Sequence, residues 1–352
     1  MGVFILTLKE LANMAGVSVS TVSRVVNKND VNAASKEVRD KIWNLVHKTG
    51  YLPNSSAQNL KIGTKLPNEQ FKKSIACVFA RTEDGKSDPF FSQIFRAIEH
   101  ECMKNGYKVT GVFSALDFKI ASETLSLSQP DGVIVLGRYS QSFLQFLKNH
   151  YNNVVYTGLN AINDGYDQVI CDGYKAAKAA VRHLHLLGHY HIGYIGEKSV
   201  EARYRGYYDA MQELKLHIDR EHIIDTEQSM KGGYLSGLKL LTAISNSTDN
   251  ISTLPTAVFC ANDITAVGFM KAMNEKGVAI PKDISIISID NTEMCQYTSP
   301  MLTSIDIPKE DLGKFTVKTL IDRIEGGHRL PIKLEVPFTL LSRETCAPRK
   351  KP

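Results

Sequence analysis

Three groups of residues in this chain have the types and spacing to do chemistry. The first is the run Val19-Ser20-Thr21-Val22-Ser23-Arg24-Val25-Val26-Asn27. At helical period Val22, Val25 and Val26 fall on one face, while Val19, Ser20 and Arg24 fall on the opposite one. A guanidinium there matches the O6 and N7 edge of guanine, a hydroxyl pairs with a neighbouring base, and a valine methyl fits the thymine methyl. Such a face can read a major groove. Thr7, Ser18, Thr21, Ser23 and Asn27 complete the candidate DNA-contact set with hydroxyl and amide groups suited to phosphates.

The second group is Arg203, Asn262 and Asp290, each shortly after a strand-like run, with Asp88, Phe90 and Phe91 after an earlier one and Asp172 and Asn291 beside two more. An arginine, an amide and a carboxylate converging on one mouth supply paired hydrogen bonds for a polyhydroxylated ligand, and phenylalanines supply an apolar face for its ring. Asp263 reads as the cap of the helix that follows it. Asp88, before Pro89, fits a helix cap as well as a ligand contact. The third group, His183, His185, His189 and His191, invites a metal. Gly188 ends the helix between His185 and His189, so the pair does not share a helical face, and no metal or other cofactor is expected. The six cysteines show no C-x-x-C pair, which leaves neither a zinc site nor a disulfide framework. G-x-G-x-x-G, the P-loop and G-x-S-x-G are all missing, so no enzyme is expected.

These groups need elements to position them. Thr7 reads as N-cap of a helix over Leu8 to Ala15, Ser18 of one over Val19 to Asn27, and Ser35 of one over Lys36 to Thr49, with Gly16 in the tight turn between the first two. The first 66 residues hold nine Lys/Arg against four Asp/Glu, which is the whole net charge of +5. That asymmetry points to a polyanion as partner of this small module. Pro53 and Gly63 bracket a short helical run, Asn54 to Ile62, inside a polar connector. From Ser74 onward, buried strand runs alternate with amphipathic helices, the rhythm of βαβ units. The expected fold class is therefore α/β: a three-helix helix-turn-helix headpiece with a hinge helix, then two doubly wound parallel-sheet lobes. The expected boundaries are 1–52 for the headpiece and 53–73 for the hinge and linker. The first lobe takes 74–160 with 304–325, and the second takes 161–303 with 326–352. The apolar start, Met1 to Leu6, lacks a basic flank and a cleavage pattern, so a cytoplasmic protein is expected, without a membrane segment.

With these residues in view, the chain resembles the lactose/galactose repressor (LacI/GalR) family. The headpiece motifs are Thr7-Leu8-Lys9-Glu10-Leu11-Ala12, Ala15-Gly16-Val17-Ser18, Thr21 to Asn27 and Gly50-Tyr51-Leu52-Pro53-Asn54. In the body, Asp88-Pro89-Phe90-Phe91, Asp131-Gly132-Val133-Ile134, Leu187-Gly188-His189, Cys260-Ala261-Asn262-Asp263 and Pro281-Lys282-Asp283-Ile284 stand in the family's order. The resemblance implies a transcriptional repressor on double-stranded DNA at a near-palindromic operator. It implies a homodimer formed along both lobes and a periplasmic-binding-protein-like body with a sugar as effector. Effector contact falls on Arg203, Asn262 and Asp290. Tyr51, Asn54, Ala57 and Leu60 join the DNA set, Leu60 as an apolar wedge in the minor groove at the operator centre. The hinge run is about two turns, below the roughly 12–15 residues an isolated helix needs, so DNA and a partner hinge must support it. No leucine heptad follows Ser342 to Ala347, so no tail-mediated tetramer is expected. A global catabolite regulator answering to a phosphorylated carrier protein is the alternative within the family. A periplasmic sugar-binding protein would carry a signal peptide in place of the headpiece. The stretch Val155 to Asn160 departs from the pattern of sugar-binding members, so the resemblance does not fix which sugar.

Overall fold

A computed structural model of the chain describes residues 8–28, 33–49, 73–79, 88–114, 118–162, 165–246 and 254–349. Thr7, Tyr51, Asn54, Ala57 and Leu60 lie outside them. The chain divides into two units, Met1–Glu69 and Gln70–Pro352.

The first unit holds α1 (Leu8–Ala15), α2 (Val19–Lys28) and α3 (Lys36–Thr49). Gly16 takes φ 73°, which its missing Cβ permits, and this turns the chain so that the N–H groups of Gly16 and Val17 both donate to Ala12 O at 3.0 and 3.1 Å. Ser18 then caps α2 by accepting from Thr21 N at 3.1 Å. The helical spacing of Leu11, Ala12, Ala15, Val22, Val25 and Ile42 buries them together. So few side chains make the core that truncating Leu11 or Ile42 to alanine, at about 2–5 kcal/mol, would remove much of the stability of such a module.

The second unit is built on two six-stranded sheets. The first comprises β1 (Lys73–Phe79), β2 (Tyr107–Ser114), β3 (Gly132–Leu136), β4 (Val154–Gly158), β5 (Asp167–Ile170) and β11 (Lys333–Glu335), in the order β11-β5-β4-β3-β1-β2. The second comprises β6 (Ile192–Gly196), β7 (Ile223–Asp225), β8 (Ala257–Cys260), β9 (Ser285–Asp290), β10 (Thr303–Asp306) and β12 (Thr339–Leu341), in the order β12-β10-β9-β8-β6-β7. Pairing is parallel throughout except between β10 and β12. β3, β4, β5, β6, β8 and β9 are buried along their whole length, as strands covered by helices on both faces must be. The helices are α4 (Pro89–Lys104), α5 (Phe118–Ser128), α6 (Gln141–His150), α7 (Gly173–Leu186), α8 (Ala202–Glu213), α9 (Met230–Asn246), α10 (Asp263–Glu275) and α11 (Lys309–Ile324). In each sheet the strand order reverses beside the first strand, at β1/β3 and at β6/β8. A crevice for ligands opens at that point, beyond the carboxyl ends of the strands.

The sheets redraw the expected lobe boundaries. β5 pairs with β4 through Tyr156 and Gln168 and so belongs to the first sheet, not the second. β10 pairs with β9 in the second sheet, and β11 returns to the first beside β5. The chain therefore crosses between lobes at residues 171–172, 307–308 and 336–338. A strand buried on both faces carries no periodicity that tells one sheet from the other, and crossings of two or three residues leave no compositional trace. One apolar cluster runs from Ile75 and Phe79 through Leu159 and Cys171 to Tyr194, Phe259 and Ile289, so the lobes share packed core at the crossings. No helix among the described residues is long and apolar enough to cross a membrane.

Candidate effector cleft and DNA-contact face

In the first unit, α2 buries Val22 and Val25 and exposes Ser20 and Arg24. Val19, expected on the same outer face, is half-buried and packs on the small core. Ser18 Oγ lies 2.7 Å from Ser20 Oγ and 2.8 Å from Thr21 Oγ1, so one hydroxyl cluster marks the N-terminal end of the helix. Those hydroxyls and the first N–H groups of the helix are suited to a phosphate oxygen.

In the second unit, the strand ends meet at a cavity of about 360 Å³ whose lining includes Asp88, Phe90, Phe91, Arg203, Asn262 and Asp290. All six residues singled out by the sequence are thus brought together. Asp88 also caps α4, accepting from Phe90 N at 2.8 Å and Phe91 N at 3.3 Å. Burial pushes its carboxyl up, against the pull of those two N–H groups and of Arg203. Phe90 and Phe91 are buried with their rings edge to face at 5.2 Å, giving the cavity an apolar wall.

Arg203 is held from three sides. Its Nε and Nη2 donate to the two oxygens of Glu201 at 2.8 and 2.9 Å, Nη2 also donates to Gln228 Oε1 at 2.7 Å, and Nη1 donates to Ala261 O at 2.9 Å. Four of the five guanidinium N–H groups are committed, which fixes the plane and leaves one on Nη1 without a partner among the described residues. Burial would raise the Glu201 carboxyl, but Arg203 and Arg138 hold it at about 2. The pair is therefore ionised at neutral pH.

Asn262 caps α10, its Oδ1 accepting from Thr265 N at 3.1 Å. The cap is thus Asn262 and not Asp263. Asp263 is instead a buried hub, its carboxylate accepting from Ser288 Oγ (2.6 Å), Ser304 Oγ (2.7 Å), Thr292 N (2.6 Å) and Thr292 Oγ1 (2.9 Å). Those bonds tie down both sides of Asp290. Asp290 sits at φ 120° and Asn291 at φ 47°, conformations that cost about 1–3 kcal/mol each and persist where the surroundings enforce them. Lys309, the first residue of α11 just past the crossing at 307–308, donates to the carbonyls of Asp290, Asn291 and Ile307 and so completes the clamp. The buried Asp290 Oδ1 has no hydrogen-bond partner among the described residues. Burial and then Asp263 push its carboxyl well above the usual carboxylate range, with Arg203 and Lys309 pulling the other way.

Two further residues placed at the mouth from sequence are used elsewhere. Asp172 caps α7, accepting from Tyr174 N and Lys175 N at 3.0 and 3.1 Å. Asn291 spends its side chain on Arg343 and Asp306, at 2.6 and 2.9 Å. Conversely, the sequence reading missed Arg138. From the end of β3 it reaches the other lobe, donating to Ser199 O and Val200 O at 3.0 and 3.1 Å and pairing with Glu197, with Glu201 at 3.5 Å. A charge two residues after the buried run Gly132–Leu136 was the available signal. In the histidine group, His189 joins Thr256 Oγ1 and Ala347 O at 3.0 and 3.1 Å, and Gly188 makes the turn before it at φ 85°.

A helix-turn-helix module joined to a two-lobed α/β body with a polar interlobe cavity defines a ligand-controlled DNA-binding regulator. Residues 7–54 match the bacterial regulatory proteins of the lacI family, and residues 181–346 match the periplasmic binding protein-like domain. The chain is 32% identical over 329 residues to the HTH-type transcriptional repressor PurR of Haemophilus influenzae, covering 90% of this chain and 91% of that one. It is 32% identical over 356 residues to the ribose operon repressor of the same organism, covering 98% of each. A LacI family transcriptional regulator from Enterococcus faecium, solved with bound ribose, superposes with a TM-score of 0.67 at 28% identity, covering 79% of this chain and all of that one. The chain belongs to the LacI family of bacterial transcriptional regulators. It is a DNA-binding repressor with a small-molecule effector domain, in a family of repressors and not of enzymes.

Proposed function

We propose that this repressor answers to a sugar bound between its lobes, with Arg203, Asn262 and Asp290 as the polar contacts and Phe90 and Phe91 under the ring. The observation that carries the reading is the unpartnered Asp290 Oδ1 in a cavity that Arg203 and Asn262 also line. A buried carboxylate oxygen needs a donor, and a sugar hydroxyl is one that can also accept from the free N–H of Arg203. The likeness to the ribose-bound relative supports the class of ligand. On the DNA side, Ser20 and Arg24 read bases, Ser18, Thr21 and Ser23 meet phosphates, and residues 53–73 form the hinge with Leu60 as its wedge. One headpiece offers a small contact area, so a homodimer on a near-palindromic operator in the cytoplasm is the working form. Effector binding changes the lobe arrangement and thereby the spacing of the two hinges.

A thermal-shift screen of sugars and sugar phosphates, followed by operator gel shifts with the hits, tests this. A sugar that raises the melting midpoint and changes operator affinity supports the reading. Stabilisation by none of them would overturn it.

A further inference from the structure

Residues 197–201 join the end of β6 to the start of α8 and so carry Arg203 into place. Their own side chains do not enforce the shape they take. Val200 sits at φ 52° with 87% of its side chain exposed. A β-branched residue in that region is an outlier that its surroundings must hold, and a side chain so exposed gains little from packing. The hold is on the backbone and comes from the opposite lobe. Arg138, two residues past β3, donates through Nη1 to Ser199 O at 3.0 Å and to Val200 O at 3.1 Å, and its Nη2 pairs with Glu197. Asn160, past β4 in the same lobe as Arg138, accepts through Oδ1 from Ala202 N at 2.9 Å. The segment's own lobe ties its start: Lys198 N donates to Asp225 Oδ1 at 3.0 Å, and Tyr194 Oη donates to Glu197 O at 2.8 Å.

The end of the segment decides where the guanidinium of Arg203 points. Glu201 is buried and accepts from Arg203 N, Nε and Nη2 at 3.1, 2.8 and 2.9 Å, and from Gln228 Nε2 at 3.0 Å. Arg203 therefore stands where Glu201 puts it, and Glu201 stands where the turn at Ser199 and Val200 leaves it. We propose that Arg138 is a positioning residue for effector binding: from one lobe it clasps the turn of the other, and so presents Arg203 to the ligand only while the lobes are drawn together at this point. This rests on Arg203 being an effector contact. Ligand affinity and lobe arrangement are then linked, because a ligand that needs Arg203 favours the clasped arrangement. Arg138 also lines the first cavity, so the rival role is direct contact with the ligand. Val200 separates the two roles. A glycine takes φ 52° without strain, and a turn with glycine at 200 needs no clasp.

Hydrogen exchange of the ligand-free full chain, read by mass spectrometry, follows the turn directly. Arg138→Ala should raise exchange over residues 201–206 about tenfold, with β3 and β8 as in the wild type. Arg138→Lys, which keeps the charge and loses the fork, should move the same way by less. Adding Val200→Gly to Arg138→Ala should restore the protection. Calorimetric titration with ribose, glucose and galactose reads binding. If the unclasped turn is competent about a tenth of the time, Arg138→Ala lowers apparent affinity about tenfold, and Val200→Gly recovers it. Unchanged exchange in both Arg138 variants would overturn the proposal, as would a loss of affinity that Val200→Gly leaves in place, the mark of direct contact. An affinity that falls with Arg203→Lys and not with Arg138→Ala would overturn the clasp and leave Arg203 standing. If none of the three sugars binds the wild type, ribose, glucose and galactose are struck from the sugar reading, and exchange alone confirms or overturns the clasp.

Discussion

Asp290→Asn should make the ligand-free protein more stable and less able to respond, because the wild-type carboxylate is held at a cost that only a ligand removes. The side chain is buried and one oxygen lacks a partner among the described residues. Leaving such a group unsatisfied costs about 1–3 kcal/mol. For a body of this size each kcal/mol moves the melting midpoint by about 2–4 °C, so the variant should melt roughly 2–12 °C higher at neutral pH by differential scanning calorimetry. The pH dependence gives a second check. Burial and Asp263 raise the Asp290 carboxyl above its ordinary 3.8 in the folded chain. Protonation therefore favours the fold: that stability is present below pH 3.8 and is lost as pH rises through the raised value. The amide never loses it, so the advantage of the variant should be greatest at neutral pH and should close as pH falls toward 4. Calorimetric titration of the effector should meanwhile weaken about 10- to 150-fold, the range for losing a charged acceptor. An amide variant that melts lower than wild type at pH 7, or a difference that ignores pH, would refute the account of Asp290.

Other perturbations separate the remaining roles. Arg24→Ala should lower affinity for the specific operator by about 1–3 kcal/mol in fluorescence anisotropy while leaving binding to random DNA nearly unchanged; equal loss on both would reassign Arg24 to phosphate contact. Leu60→Ala should likewise weaken specific binding and spare non-specific binding. Arg203→Lys keeps the charge but loses the fork that grips both oxygens of Glu201, so effector affinity should drop tenfold or more, by roughly 1.4 kcal/mol, with operator binding retained. His328 is placed between Asp322 and Asp167; burial would lower its pKa, but those two carboxylates raise it above 6.5. Its contribution is present below pH 6.5 and lost as pH rises through the raised value, so His328→Gln should flatten the thermal stability profile above pH 6.5 and leave the wild-type slope only if the pair is immaterial.

The helices of both units were legible because a buried stripe at 3.6-residue spacing and a capping residue are local signals. α1 and α3 run as the spacing predicts, and Gly16 and Gly188 make the turns that only a glycine takes without strain. The cleft residues were legible for a related reason: a polar side chain directly after a buried parallel strand has to stand in the crevice. The same rule, carried to its end, pointed at Arg138 after β3 as plainly as at Asn262 after β8.

Two kinds of information were not local. Which sheet a strand joins depends on partners far away in sequence, so the expected boundaries put the residues of β5, β10 and β11 in the wrong lobe. What a polar side chain does once it arrives depends on which neighbours reach it first. Asn262 took the cap that Asp263 was expected to take, because the hydroxyls of Ser288, Ser304 and Thr292 and the Thr292 N–H had already claimed Asp263. That exchange has a consequence for function: the clamp on Asp263 joins β9 and β10 behind Asp290, and Lys309 joins the start of α11 to the carbonyls of Asp290 and Asn291. The strained carboxylate at the floor of the cavity is therefore braced by a crossing between lobes. Under the proposed function, a ligand hydroxyl that relieved Asp290 would act on the segment through which one lobe is tied to the other, a mechanical route from effector binding to lobe arrangement.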